Sequence, residues 1–198
     1  MVEQAPRPQR LWPGLVLLLA PVALIGGLST SAQAQSCGGQ ISSSTAGATV
    51  TNNGCIETSG NLAAGDGISS SGANATITNT NSGTITTSGR GAFGIYSAGA
   101  NATITNSGTI TTSCSIAHGI FVGGSGATLS NMGNITAGAG FFGIRVGGGS
   151  VVTLTNAQGG NTPLTYSGGL PATYNVLVQS LSSFGRLAVS SPTGTMTF

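Results

Sequence analysis

Aliphatic residues recur in the middle of the chain at intervals of 25 to 27 residues, each flanked by Thr, Ser or Asn. The string ATITN occupies residues 75–79 and again residues 102–106, and variants of it occupy residues 48–52, 127–131 and 152–156. Within each string an aliphatic residue alternates with polar residues, which gives a strand one apolar face and one polar face. The pattern therefore predicts one short, half-buried strand in every period.

Two further segments repeat with a similar period. The string SGTIT occupies residues 82–86 and 107–111, with variants at 53–57 and 132–136, and a Gly-Ile pair recurs between these repeats. Each period thus holds three β-prone segments, and their aliphatic residues fall into three columns. These columns are Val50, Ile77, Ile104, Leu129 and Leu154; Ile56, Ile85, Ile110 and Ile135; and Ile68, Ile95, Ile120 and Ile144.

Three inward columns on three short strands per period predict an all-β fold, a right-handed, three-sided parallel β-helix of about five coils over residues 35–162. One coil cannot bury its own apolar side, whereas coils stacked about 4.8 Å apart form a continuous core. A β-sandwich is the competing fold, but it has no need to place the same residue at the same phase in each period. Residues 163–198 break the repeat and are predicted to be a C-terminal cap.

An asparagine closes the first strand of every period. These residues are Asn52, Asn79, Asn106, Asn131 and Asn156. We predict that their side-chain amides stack into a ladder at one corner, where each bonds to the next coil.

The first 34 residues have the pattern of a secretory signal peptide. Arg7 and Arg10 form a basic segment, residues 15–28 are apolar, and Ala32 and Ala34 give a small-x-small cleavage signal. The apolar run is shorter than the roughly 20 residues that span a bilayer, although a signal anchor is the alternative. Cleavage is predicted between Ala34 and Gln35, so we expect the rest of the chain to be exported.

Charged residues make up only 4% of the chain, which contains no Lys and has a formal net charge of +2. A nucleic-acid-binding protein needs clustered Lys or Arg to neutralise phosphates, so no nucleic-acid partner is expected. A metal site needs several His, Cys or carboxylate ligands, and the sequence offers one His and scattered cysteines. No cofactor and no metal site are predicted.

Few residues in the expected exported chain are capable of acid–base chemistry. His118 is the only His, and Glu57 and Asp66 are the only acids after residue 34. Aligning the Gly-Ile pairs places Asp66 and His118 two coils apart, about 10 Å, with the coil of Phe93 between them. No catalytic residue is predicted. A carbohydrate-active β-helix enzyme, lyase or hydrolase, is the alternative, because Glu57 and Asp66 belong to one coil and glycosidases use paired carboxylates.

Cys37 and Cys55 are 18 residues apart. Because exported proteins form disulfides, a bond between these two residues is one prediction for the N-terminal end of the β-helix. The alternative is that all the cysteines are unpaired. Cys114 lies two coils from Cys55, beyond the roughly 7 Å that a disulfide spans between Cα atoms, so a free thiol is predicted there.

One outer face carries a candidate binding stripe. In the Gly-Ile-x segments, residue x points outward, and a second group of residues lies immediately before each pair, two positions before its Ile. The stripe comprises Tyr96, Phe121 and Arg145, together with Phe93, His118 and Phe142. Exposed aromatic residues and Arg are common anchors of binding surfaces, and aromatic faces suit sugars. The alternative is that these rings only cover one another and protect the sheet.

The signal peptide, the NSGTI-type repeats and the segment YNVLVQSLSSFGRLAVSSPTGTMTF at residues 174–198 together resemble a bacterial autotransporter passenger, of the type V secretion class. The last segment resembles the junction between such a passenger and its outer-membrane translocator barrel. A barrel needs at least about eight strands, more than the residues after Tyr174 supply, so the resemblance places the translocator outside this chain.

The resemblance implies a non-enzymatic protein that is exported to the cell surface, the outer membrane or the medium. Without a barrel to follow it, the chain is expected to stay in the periplasm. Its expected role is that of an adhesin or a structural spacer, and the implied partners are host or bacterial surface glycans or proteins. A truncated gene product without function is a further alternative.

The cleavage prediction is tested by expressing the full chain in a Gram-negative host and recovering it after export. The intact mass should correspond to a chain that begins at Gln35. An Ala34→Leu variant should retain the leader, because signal cleavage requires a small residue before the cut. Recovery of an exported chain that still carries residues 1–34 would contradict the prediction.

Overall fold

A computed structural model describes residues 31–34, as a backbone strand, and residues 37–198. Within these residues the chain is all-β and winds into a β-solenoid of about six turns. Three parallel sheets of seven, four and seven strands form its walls. The predicted parallel β-helix is confirmed, with about one turn more than expected.

In each wall, a strand of one turn pairs with the equivalent strand of the next turn. Sheet A contains β1 (Ser31–Ala34), β3 (Thr49–Asn52), β6 (Thr76–Asn79), β9 (Thr103–Asn106), β12 (Ala127–Asn131), β15 (Val151–Asn156) and β17 (Thr173–Val176). Sheet B contains β4 (Cys55–Thr58), β7 (Thr84–Thr87), β10 (Thr109–Thr112) and β13 (Asn134–Thr136). Sheet C contains β2 (Ile41–Ser43), β5 (Ile68–Ser70), β8 (Ile95–Ser97), β11 (Ile120–Val122), β14 (Ile144–Val146), β16 (Leu164–Gly169) and β18 (Leu187–Thr193). A short 3-10 helix, Leu62–Gly65, precedes β5.

The three predicted aliphatic columns form the core. Ile77 pairs with Ile104 on sheet A, and both are buried. The other two columns are buried in the same way on sheets B and C, because period-2 alternation turns every second side chain inward. Towards the C-terminus, Tyr174 takes the place after Leu154, and Tyr166 takes the place after Ile144.

The predicted asparagine ladder is present at the end of the sheet A strands. Asn52 Nδ2 donates to Asn79 Oδ1 at 2.8 Å, and the same bond joins Asn79 to Asn106 and Asn106 to Asn131. The last bond, from Asn131 to Asn156, is 3.1 Å long. All five side chains are buried, so the ladder satisfies amides that would otherwise be costly inside the protein.

Sheet B ends at β13, and the side chain of Gln158 covers that edge. Gln158 Oε1 accepts a hydrogen bond from the Ile135 amide at 2.8 Å, and its Nε2 donates to the Ile135 carbonyl at 3.0 Å. One side-chain amide thus forms the two hydrogen bonds that a further parallel strand would form with this residue.

Residues 163–198 continue two of the walls. Strand β16 pairs with β14, β18 pairs with β16, and β17 pairs with β15, all in parallel. The sequence predicts strands at 174–178 and 187–189, where β17 and β18 lie, but not β16. This end leaves large apolar side chains exposed, among them Leu181 at 103% and Phe198 at 83%.

Most of the predicted signal peptide lies outside the described residues, as does Gln35. Its last residues, Ser31–Ala34, form β1, which pairs with β3 and sets Ala34 opposite Asn52. Cleavage between Ala34 and Gln35 would therefore remove β1 and make β3 the edge strand of sheet A.

An Ile104→Ala substitution should lower the free energy of unfolding by about 2–5 kcal/mol, because it leaves a cavity inside a buried column. Urea denaturation measures the loss. Thr103→Ala is the matched control, since Thr103 is an exposed residue of the same strand, and its effect should be much smaller. Equal losses in the two variants would contradict the assignment of the column to the core.

Candidate binding site

The predicted stripe lies on the outer face of sheet C. Tyr96 pairs with Phe121, and Phe121 pairs with Arg145, in successive turns. Each is the middle residue of a three-residue strand whose two neighbours are buried, so its own side chain points outward and is half-buried. The parallel register therefore places these three predicted residues directly above one another.

The second group, Phe93, His118 and Phe142, forms a parallel column at the corner before sheet C. The rings of Phe93 and His118 stack with centroids 5.8 Å apart, and those of His118 and Phe142 stack at 5.7 Å. The column arises because each residue precedes a Gly-Ile pair by the same number of positions. The structure thus brings this predicted group together as well.

The two groups merge into one aromatic surface. The ring centroids of Phe93 and Phe121 are 4.8 Å apart, and those of Tyr96 and Phe121 are 5.7 Å apart. Phe141, which the sequence analysis missed, packs edge-on against His118 at 5.7 Å. Its signal was the Phe141-Phe142 pair in the corner of the next turn.

Arg145 is held within the stripe by a neighbouring turn. Its Nη1 donates a hydrogen bond to Ser167 Oγ at 3.1 Å. The guanidinium is therefore partly engaged within the protein.

Asp66 and His118 each accept a hydrogen bond from the backbone of the following turn. Asp66 Oδ1 accepts from the Phe93 amide at 2.8 Å, and His118 Nδ1 accepts from the Phe142 amide at 3.1 Å. Phe93 therefore lies between Asp66 and His118, as the alignment of turns predicts. Both side chains join one turn to the next.

Burial shifts both groups toward their neutral forms. Burial and the nearby Arg145 guanidinium lower the pKa of His118 to about 4, and a neutral Nδ1 is free to accept the Phe142 hydrogen bond. Burial raises the pKa of Asp66 to about 6 against the opposing effect of the Phe93 hydrogen bond. The second carboxylate oxygen, Oδ2, is buried and has no hydrogen-bond partner among the described residues.

A cleft of about 260 Å³ opens where the stripe meets Asp66. Phe93, Tyr96 and Asp66 line it together with the aliphatic side chains of Leu62 and Ile116. No pattern in the sequence points to Leu62 and Ile116, because neither belongs to a repeated strand.

The structure joins Cys37 to Cys55 by a disulfide bond, with Cα atoms 4.2 Å apart, so it contains the bonded alternative. The Glu57 carboxylate lies beside them, with Oε1 3.9 Å from Cys55 Sγ. Because the two sulfurs bond to each other, they offer no thiolates to a metal ion. Cys114 has a free, partly exposed thiol.

Continuous parallel walls around a buried core define the class of this protein as a parallel β-solenoid. Comparisons with protein-family models, with curated proteins and with solved structures each found no match to this chain. In the part of the chain that the structure describes, no helix is long and apolar enough to cross a membrane.

The pKa of His118 is lowered and that of Asp66 is raised, so the two groups predict opposite dependences of stability on pH. The stabilising effect of neutral His118 is present above its ordinary pKa of 6.5 and is lost as pH falls toward about 4. The effect of protonated Asp66 is present below its ordinary pKa of 3.8 and is lost as pH rises through about 6.

In the Asp66→Asn variant His118 still titrates, so we expect its stability to decrease as pH falls from 6.5 to 4. In the His118→Asn variant Asp66 still titrates, so we expect its stability to increase as pH falls from 6 to 4. Each Asn keeps an acceptor for the backbone amide of the following turn. Urea denaturation across this range measures both profiles, and the other titrating groups are common to the two variants. Profiles that run in parallel would contradict the assignment.

Proposed function

We propose that this chain is a non-enzymatic, exported passenger of the autotransporter type, which acts as an adhesin through its aromatic stripe. The observation that carries the proposal is the continuous aromatic surface of Phe93, Tyr96, Phe121, His118 and Phe142 on one side of the solenoid. Phe93, Tyr96, Phe121 and Phe142 are half-buried and His118 is buried. The rings stack nearly parallel, so each covers the face of its neighbour and it is mainly ring edges that meet solvent.

The scaffold suits recognition of an extended surface ligand. Stacked turns repeat at the spacing of neighbouring strands, about 4.8 Å, so the rings form a row along the solenoid axis. Aromatic side chains contact the apolar parts of sugars and of protein side chains, and such residues supply much of the energy of binding interfaces. Surface glycans or proteins of a host or of another bacterium are the partners we propose.

The remaining parts of the proposal come from the sequence resemblance. The leader supports export, and the NSGTI-type repeats support a passenger that an outer-membrane translocator barrel delivers to the cell surface. The alternative role of a structural spacer is favoured by the regular Thr residues on the outer faces of β6, β7, β9 and β10, which offer little to recognise.

The test compares adhesion of two double variants of the exported chain. Tyr96→Ala with Phe121→Ala removes two rings of the stripe, and Thr76→Ala with Thr103→Ala removes two exposed side chains of sheet A as the control. Each protein is applied to an array of cell-surface glycans and to immobilised host and bacterial cells.

We expect the stripe variant to lose binding by about tenfold or more, and the threonine variant to bind like the unmodified chain. Circular dichroism checks that both variants keep the β-solenoid. Equal binding of all three proteins would reject the stripe as the adhesive surface. Failure of the unmodified chain to bind any array or cell would favour the spacer.

A further inference from the structure

The cleft beside Asp66 depends on a glycine placed between two bulky residues. Leu62 bonds through its amide to the Arg90 carbonyl, and Gly91 bonds in the same way to the Ser115 carbonyl. Leu62, Gly91 and Ile116 therefore occupy the same corner position in three successive turns. Because Gly91 has no side chain, Leu62 leans over it, with Cδ2 2.8 Å from where a Cβ of residue 91 would lie, and the cleft opens beside Leu62, Gly91 and Ile116.

Leu62 and Ile116 have an unfavourable backbone conformation for their residue type. Their φ angles are 56° and 62°, in the left-handed region, where Gly91 and Gly140 lie at the equivalent corner with φ of 69° and 83°. A large side chain in this region is strained, and such strain is concentrated at functional sites. Both side chains are also exposed, Leu62 by 65% and Ile116 by 47%. Folding alone would favour glycine at these two positions.

Beneath this aliphatic rim lies a carboxylate without a counter-charge. Asp66 is 1% exposed, and only its Oδ1 is hydrogen-bonded within the described residues, to the Phe93 amide. A buried ionised carboxylate is stable only when it is paired with a cation or with hydrogen-bond donors. The aromatic rings of Phe93 and Tyr96 form the adjoining wall, and the electron-rich face of an aromatic ring attracts cations.

We propose that the cleft binds a primary alkylammonium group, whose nitrogen donates to Asp66 Oδ2 and whose carbon stem lies between Leu62 and Ile116. An ammonium supplies the charge and the donors that Oδ2 lacks. A sugar fits less well, because the rim is aliphatic and Oδ2 is the one side-chain polar atom there that is buried and unpartnered in the described residues. The chain contains no Lys, so none of its own side chains supplies a primary alkylammonium group.

Entry requires a local change, since Oδ2 lies beneath the surface of the cleft. Leu62 begins the short 3-10 helix and is largely exposed, so a change of its side-chain rotamer would leave the core undisturbed. This site shares Phe93 and Tyr96 with the adhesive stripe but goes beyond it. Its defining contacts are with Asp66, Leu62 and Ile116, which lie outside the stripe.

The experiment measures binding of n-hexylammonium to the full chain by isothermal titration calorimetry. The neutral isostere 1-hexanol should bind about tenfold more weakly or worse, because it leaves the carboxylate without a counter-charge. Nα-acetyl-lysine methylamide distinguishes two sources of the ammonium group, the lysine of a partner protein and a small amine. Binding of this probe identifies a partner's lysine side chain, whereas binding of hexylammonium alone identifies a small free amine.

Three variants test the residues. Asp66→Asn keeps the acceptor for the Phe93 amide and should lose about tenfold or more of the hexylammonium affinity, with the affinity for hexanol unchanged. Glu57→Gln is the matched control, because it removes an exposed acid elsewhere, and should bind normally. Leu62→Gly relieves the left-handed backbone conformation, so it should fold at least as well and still bind more weakly.

Three outcomes would overturn the proposal. Equal affinity for hexylammonium and hexanol would show that no charge is recognised. Equal losses in Asp66→Asn and Glu57→Gln would indicate attraction by overall charge. If Asp66→Asn does not fold, unchanged hexylammonium affinity in Leu62→Gly rejects the cleft.

Discussion

Every turn of this protein must pair its backbone with the next turn in parallel and in register. That constraint sets each residue directly above its counterpart, so the chemistry of one position is repeated along the axis. Ile stacks on Ile within the core, and the asparagine amides bond in a row that runs from Asn52 to Asn156. The aromatic rings on sheet C obey the same rule, which makes a binding surface out of residues separated by a full period.

Near the corner before sheet C, side chains of different chemistry accept hydrogen bonds from backbone amides of a neighbouring turn. Asp66 and His118 accept hydrogen bonds from the Phe93 and Phe142 amides of the following turn, and Thr165 accepts one from the Gly143 amide of the preceding turn. A hydroxyl performs this task without a charge. An acid and an imidazole perform it with buried groups whose protonation depends on pH, and their effects on stability oppose each other.

Most of the fold could be predicted from the sequence, because the repeat shows which residues of successive turns pair with each other. The three columns, the ladder and the alignment of Tyr96 over Phe121 all follow from counting positions within a period. Other features depend on residues that occur once. Gln158 covers the edge of sheet B through two side-chain hydrogen bonds, and no repeated pattern in the sequence predicts this role. The cleft escaped prediction because the left-handed conformation of Leu62 and Ile116 and the missing partner of Asp66 Oδ2 are three-dimensional facts.

The edge of sheet B has a consequence for how such a protein sets its own dimensions. Gln158 occupies the hydrogen-bonding positions of β13 while sheets A and C continue for another turn. The cross-section thus changes from three walls to two after β13, where Gln158 takes the hydrogen-bonding positions of a further strand. The walls of such a solenoid therefore need not be equally long, because a side-chain amide can close the edge of one sheet while the other two sheets continue.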